Sequence, residues 1–232
     1  MPAYLVVHVK FKDMVYSIAR YGRHAMPMME KMGGEVLAGS MSPLVLEDSW
    51  DGNWAALVKF KDMATAEAFC NAPEYKPLKD LRMNELTEFG RVLLVEGSNP
   101  APADSASSNT LPAYLISQMK FKNTQDAMAR YWQDALPAIK KMGGDVLVGS
   151  MTAKVIEGEW NGNWASVVRF KNMATAEAFY NSPEYKPLRE LCANELTESN
   201  RVLLEVGFTQ FAFIKGALGH AVARLKFWGA RN

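Results

Sequence analysis

MATAEAFCNAPEYKPLKDLRMNELTE, residues 63–88, returns 110 positions later as MATAEAFYNSPEYKPLRELCANELTE, residues 173–198. Extending that shift outward aligns residues 2–97 with 112–207 without a gap, and about 56 of the 96 paired positions are identical. PAYL, KMGG, GNWA and RVLL recur in the same order. Self-similarity of this strength marks a duplicated structural unit. The chain therefore divides into repeat 1 (1–97), a linker (98–111), repeat 2 (112–207) and a tail (208–232) without a counterpart. The linker, SNPAPADSASSNTL, is too poor in large apolar residues to bury a core and is expected to be flexible.

Each repeat spells the same elements. Residues 4–11, rich in Val and aromatics, predict a strand. From Met14 to Met32, apolar residues recur at helical spacing and Gly33-Gly34 ends the run, as suits a helix C-terminus. Pro27 and Pro137 fall inside this helix and are expected to kink it. Residues 35–41 and 44–47 suggest a short hairpin, and 54–60 a further strand. Met63–Phe69 begins a second helical region, Ser182-Pro183 resembles a cap and first helical position, and 91–96 closes the unit as a strand. The order β-α-β-β-α-β is the ferredoxin-like plan, an α+β fold. Val6/Val7 and Leu57/Val58 put apolar side chains on both faces of their strands, so the sheet face away from the helices also needs cover. A second copy on a flexible tether supplies it at high effective concentration. The expected architecture is an intramolecular pseudo-dimeric α+β barrel with helices outside.

Composition narrows the function classes. A net charge of +1 over 232 residues gives no basic excess for nucleic acid. No apolar run is long enough for a membrane span, and the N-terminus lacks the pattern of a secretory signal. Cys70 and Cys192 face Tyr180 and Arg82 of the other repeat, so neither belongs to a repeated disulfide or metal framework; reduced thiols in a cytoplasmic protein are expected. Nucleotide-binding glycine motifs and nucleophile elbows are missing. His8, His24 and His220 are too scattered for a metal triad.

The opening AY strand, helical Tyr21, the GG stop, Glu47 with Trp50, the PEY segment, Leu81-Arg82 and the closing RVLLVEG resemble the domain of unknown function numbered 1330, twice over. The resemblance implies the dimeric α+β barrel superfamily, which holds cofactor-free monooxygenases, isomerases, cyclases, dehydratases and haem proteins. It implies architecture and little chemistry, since the family has no settled activity. Cys192 stands where the family pattern has the Arg found at Arg82.

Candidate site residues come from comparing the repeats. His24 and Asp134 are counterparts one turn beyond Tyr21 and Tyr131; either could act as a general base, or pair with Arg20 and Arg130 on the surface. The tyrosines could contribute hydroxyls. Arg82 could hold a carboxylate or phosphate through two parallel hydrogen bonds, or bridge to Glu85. His8 is either a structural histidine or a substrate contact. Trp50, Trp54, Trp132, Trp160 and Trp164, with many methionines, could line an adaptable slot for a flat ligand or pack the barrel seam. Glu47 and Glu157 are read as solvated at a hairpin edge. The basic, apolar tail could wrap over the barrel or join a second subunit as a homo-oligomer. With no cofactor or metal signature, the expectation is a cofactor-independent enzyme of lyase, isomerase or decarboxylase type, acting on a small aromatic, acidic molecule by proton transfer. The alternatives are a non-catalytic small-molecule binder or assembly module, a cofactor-free monooxygenase, and a haem protein with His24 as axial ligand.

Overall fold

The computed structural model describes residues 1–98 and 110–207, and the predicted tail lies outside them. In repeat 1 the strands are β1 (Ala3–Phe11), β2 (Glu35–Ser40), β3 (Leu44–Glu47), β4 (Trp54–Phe60) and β5 (Thr87–Glu96). Their counterparts in repeat 2 are β6 (Ala113–Phe121), β7 (Asp145–Ser150), β8 (Ala153–Glu157), β9 (Trp164–Phe170) and β10 (Thr197–Val206). The helices are α1 (Met14–Ser17), α2 (Arg23–Lys31), α3 (Met63–Cys70) and α4 (Lys76–Leu81), then α5 (Thr124–Ala127), α6 (Gln133–Lys141), α7 (Met173–Tyr180) and α8 (Lys186–Leu191).

Local chemistry accounts for most boundaries. Asp13, Asp62, Asn123 and Asn172 cap the helices that follow them by accepting backbone N–H groups. Asn53 exchanges two hydrogen bonds with the backbone of Phe11, imitating a further strand residue, and Asn163 does the same for Phe121. That role explains the recurring Gly-Asn-Trp. Ser182 caps a turn instead of a helix, and α8 begins at Lys186 with Pro187 in its first turn. Helix α2 continues through Pro27 to Lys31.

The described residues form two five-stranded sheets ordered β2-β4-β1-β5-β8 and β3-β10-β6-β9-β7. Each repeat keeps four strands and lends one. The hairpin expected from residues 35–47 does not form: β2 pairs with β4, whereas β3 crosses over to β10 and β8 crosses back to β5. Neighbouring segments in sequence thus belong to different sheets. Tyr4, Val6, Leu57, Leu93 and Val95 face Tyr114, Ile116, Leu147, Val148 and Val167 in one apolar core between the sheets. Ala38 bridges to Gly207, and Ser98 donates to the Leu147 carbonyl, joining the sheet edges. This is the closed barrel with outer helices that the doubled sequence implies. No described helix is long and apolar enough to cross a membrane.

This interior also buries a carboxylic acid. Repeat 1 ends in Val95-Glu96 and repeat 2 in Glu205-Val206, a transposition that moves the acid to the opposite face of the strand. Glu96 is exposed, while Glu205 is 1% exposed with neither carboxylate oxygen hydrogen-bonded, and Val206 is turned outward. Burial pushes the Glu205 carboxyl from 4.5 up to about 8. Between those values the folded chain holds a proton that the unfolded chain has released, so stability falls as pH rises through that window. Glu205→Val is expected to stabilise the protein by roughly 1–3 kcal/mol at pH 5. The gain should grow towards pH 8, by at most about 1.4 kcal/mol per pH unit, and chemical denaturation at the two pH values checks it. An equal gain at both would show that Glu205 is not held protonated.

Candidate functional site

The long helix of repeat 1 does not keep one pitch. Between α1 and α2, residues Ile18–Gly22 form a π turn, and Arg82–Leu86 form another between α4 and β5. Repeat 2 has the same two, Met128–Trp132 and Cys192–Leu196. Such turns fit one extra residue into a helix and often occur at functional sites. An ideal helix would carry the face holding Ser17 and Tyr21 on to His24 and Met28. The extra residue carries it to Ala25 and Met29, and those are the residues that face inward.

Beneath the first π turn, between the helices and the outer face of the repeat 1 sheet, lies a cavity of about 120 Å³. Its walls are almost wholly apolar, with Val7, Val58, Met26, Met29, Trp54 and Phe69 among them. Ser17, whose buried Oγ has no hydrogen-bond partner, and four larger polar side chains reach it. The Tyr21 and Tyr75 hydroxyls share a hydrogen bond of 2.7 Å. Arg82 donates from Nη2 to Glu157 Oε2 at 2.5 Å, and its guanidinium carbon lies 5.4 Å from the centre of the Tyr21 ring. Glu157 belongs to β8, so repeat 2 provides the closing acid for a cavity in repeat 1. Lys79 stands 3.6 Å from the other oxygen of that carboxylate. The Arg82 and Glu157 side chains are only 3% and 5% exposed.

Electrostatics follow from this enclosure. Burial alone would weaken the charged form of Arg82, but Tyr21, Tyr75 and Glu157 outweigh it and hold the guanidinium above its ordinary value. Burial, reinforced by Tyr21, pushes the Tyr75 hydroxyl well up, so it remains a proton donor. The Cys70 thiol in the wall is pushed up to about 11, chiefly by burial, which leaves it a poor nucleophile. Arg82 Nη1 is buried without a hydrogen-bond partner. A cationic donor left open in an apolar cavity favours an anionic or strongly polar oxygen.

Repeat 2 has filled the corresponding space. Trp132 replaces Gly22 and packs edge-on against Trp164, ring centres 4.9 Å apart. Tyr180 replaces Cys70, and its hydroxyl donates to Glu47 at 2.5 Å. Asn200 replaces Gly90 and also donates to Glu47, which β3 delivers from repeat 1. Cys192 replaces Arg82, buried beside the Met119 sulfur with its thiol pushed up to about 12 by burial. Tyr131 keeps its bond to Tyr185, at 2.8 Å. The tyrosine pair thus survives in both repeats, while the space and the cation occur together in repeat 1.

Both repeats match the family model for a domain of unknown function, DUF1330, over residues 2–98 and 112–206. The chain belongs to the DUF1330 family. A search of curated proteins finds no match. Among solved structures, this DUF1330 protein is similar to a variant chlorite dismutase from Candidatus Nitrospira defluvii, at 10% identity, 93% coverage of this chain, 94% of that one and a TM-score of 0.55. It is also similar to an anthrone oxidase-like protein, at 12% identity, 90% and 91% coverage and a TM-score of 0.53. A protein from Lactobacillus acidophilus NCFM, provisionally assigned as a monooxygenase, gives 11% identity, 90% and 94% coverage and a TM-score of 0.52. At these identities the likeness is one of fold.

The residues singled out in the sequence separate into groups. Tyr21, Arg82 and Trp54 meet at the repeat 1 cavity. Tyr131, Trp132 and Trp164 form the plug of repeat 2. His24 and Asp134 lie exposed on α2 and α6, outside the lining, because the π turns rotate them away. Arg130 pairs with Asp126 and Glu195 and not with Asp134. Arg82 does not bridge to Glu85, which pairs with Arg20. His8, Trp50 and Trp160 lie between the sheets, across the strands from the cavity. Among the described residues no imidazole lines the cavity, since His8 is behind the sheet and His24 faces solvent. Glu157, read as solvated, is buried in an ion pair formed 75 positions away in sequence. Tyr75 and Gly22 also line this cavity; the Gly22/Trp132 difference between the repeats was available in the sequence as a signal for the latter.

The two solutions to holding a strap glutamate are interchangeable in principle. Arg82→Ala is expected to cost about 3–5 kcal/mol by stranding Glu157. Arg82→Cys combined with Gly90→Asn, which transplants the asparagine half of the repeat 2 arrangement, is expected to recover at least about 1 kcal/mol relative to Arg82→Cys alone. A Cβ at Gly90 would meet Arg82 Nη1 at 3.4 Å, a contact that disappears with the arginine. Urea unfolding of these variants and of Gly90→Asn alone completes the cycle, and simple additivity would rule the coupling out.

Proposed function

We propose that repeat 1 is a cofactor-independent active site for a small, flat, aromatic acid, and that repeat 2 serves as its structural complement. The observation that carries this reading is the buried Arg82 Nη1, without a hydrogen-bond partner, on an arginine that lines a mostly apolar cavity. An acidic group on the substrate would take that donor, while its ring lies among Met26, Met29, Trp54 and Phe69. Methionines and aromatics suit such a ring because they adapt to its outline and contact its face.

The reaction is proton transfer of the isomerase, decarboxylase or lyase type. Tyr21 and Tyr75 act together as a hydrogen-bond donor pair to oxygen on which negative charge develops; burial keeps the Tyr75 hydroxyl protonated for that role. Glu157 is the only carboxylate among the lining residues. A substrate anion competing for Arg82 frees Glu157 to accept a proton. Water is excluded by the apolar walls, which strengthens every one of these interactions. The same dry walls also suit cofactor-free oxygenation of an electron-rich ring, a second reading in keeping with the oxidase-like and monooxygenase-type fold neighbours.

Benzoate and salicylate are suitable probes. Each is expected to raise the melting temperature saturably in the native chain and to have no such effect on Gly22→Trp, which installs the repeat 2 plug where a Cβ meets only Ile18 at 3.9 Å. With a turned-over substrate, Tyr21→Phe is expected to lower kcat by about 10²-fold or more with little change in KM. Oxygen uptake during turnover would select the oxygenase reading. Undiminished ligand response in folded Gly22→Trp would refute the site.

A further inference from the structure

The barrel interior ends differently from how it begins. Along β1 the inward side chains are Tyr4, Val6 and His8, and along β6 they are Tyr114, Ile116 and Gln118. His8 pairs in register with Arg91 of β5, and Gln118 with Arg201 of β10, so each arginine shares the inward face of its neighbour. The pseudo-twofold relation of the repeats brings these four residues to one mouth of the barrel, where the charges of Arg91 and Arg201 act on His8 and on one another.

Their hydrogen-bonding capacity is unspent. Both ring nitrogens of His8, both amide atoms of Gln118, Nε of Arg201 and the indole nitrogen of Trp50 are buried without partners. His8 and Gln118 are 1% and 4% exposed, and the Trp50 ring centre lies 6.1 Å from that of His8. The arginines are fixed from outside: Arg91 Nε donates to the Glu159 carbonyl at 2.8 Å, and Arg201 Nη2 to the Ser49 carbonyl at 3.4 Å. Burial and the neighbouring cation together make the charged form of Arg91 less favourable, which Asp51 offsets in part. His8 is held neutral, pushed down to about 3 by burial and then by the two arginines. Two cations and a set of idle donors in one half-buried place are costly unless something answers them.

We propose that this mouth of the barrel binds a small oxyanion between Arg91 and Arg201, with Gln118, His8 and Trp50 donating the remaining hydrogen bonds. Guanidinium groups on opposite sides of an oxyanion satisfy it in a way lysines cannot. The site is separate from the repeat 1 cavity, which lies on the other face of the sheet, and does not depend on the function proposed for it. It is also shared by both repeats, so neither half alone could form it.

Titration calorimetry on the full chain tests this, with inorganic phosphate in one arm and acetate in the other, at constant ionic strength. Saturable binding of one anion per chain is expected in at least one arm, and the arm identifies a tetrahedral or planar ligand. Arg201→Gln should weaken it at least tenfold, and Arg91→Gln provides the same test should Arg201→Gln fail to fold. The Trp50 indole N–H resonance should shift on binding, and Gly22→Trp should bind as the native chain does. Absence of saturable binding in both arms, or unchanged affinity in a folded arginine variant, would overturn the proposal.

Discussion

Everything in this molecule depends on the burial of two sheet faces against each other. Each sheet is covered on one side by its own helices, and its other side presents Tyr4, Val6, Leu57 and Leu93 or their counterparts. Burying such side chains stabilises by about 1.5–3 kcal/mol each, far too much to leave exposed to water. The second repeat satisfies this need within the same polypeptide. The exchange of β3 and β8 follows from the closure, because each short strand lies where the opposite sheet continues. The cavity then inherits its closing acid: Glu157 reaches Arg82 because β8 has crossed over.

Duplication within one chain also releases the two halves from identity. A symmetric dimer of one sequence must build every feature twice, and here each repeat has changed alone. Gly22, Cys70 and Gly90 keep space open in repeat 1, whereas Trp132, Tyr180 and Asn200 occupy it in repeat 2. Each strap glutamate still has a buried partner, supplied by Arg82 on one side and by Tyr180 with Asn200 on the other. The substitutions therefore exchange an open site with a buried arginine for a packed one in which a tyrosine and an asparagine hold the glutamate.

The architecture was legible because it rests on repetition and on strands apolar on both faces, features that survive in a single sequence. The hairpin reading of residues 35–47 failed for a physical reason: which strand a short segment pairs with depends on partners far away in sequence, such as Leu204 for Leu44. Sequence left His24 and Asp134 open between site and surface, because helical periodicity assumes a constant pitch and the π turns break it. The buried ion pair of Arg82 could not be read from spacing, since its partner comes from the other repeat. The transposed Glu205-Val206 was readable from strand alternation alone. It escapes notice because the pair has the same composition as Val95-Glu96.

The crossed strands also bear on how the chain is made. β3 (Leu44–Glu47) emerges early in synthesis, but β10 (Thr197–Val206), the strand it lies against, follows only after most of the chain has been made. The first half thus leaves the ribosome with an apolar face and a strand it cannot place, and must wait for most of the second half. During that interval it exposes an unpaired edge to any neighbouring nascent chain, including another copy of itself. The linkage that gives the finished barrel its asymmetry also makes its folding depend on contacts distant in sequence.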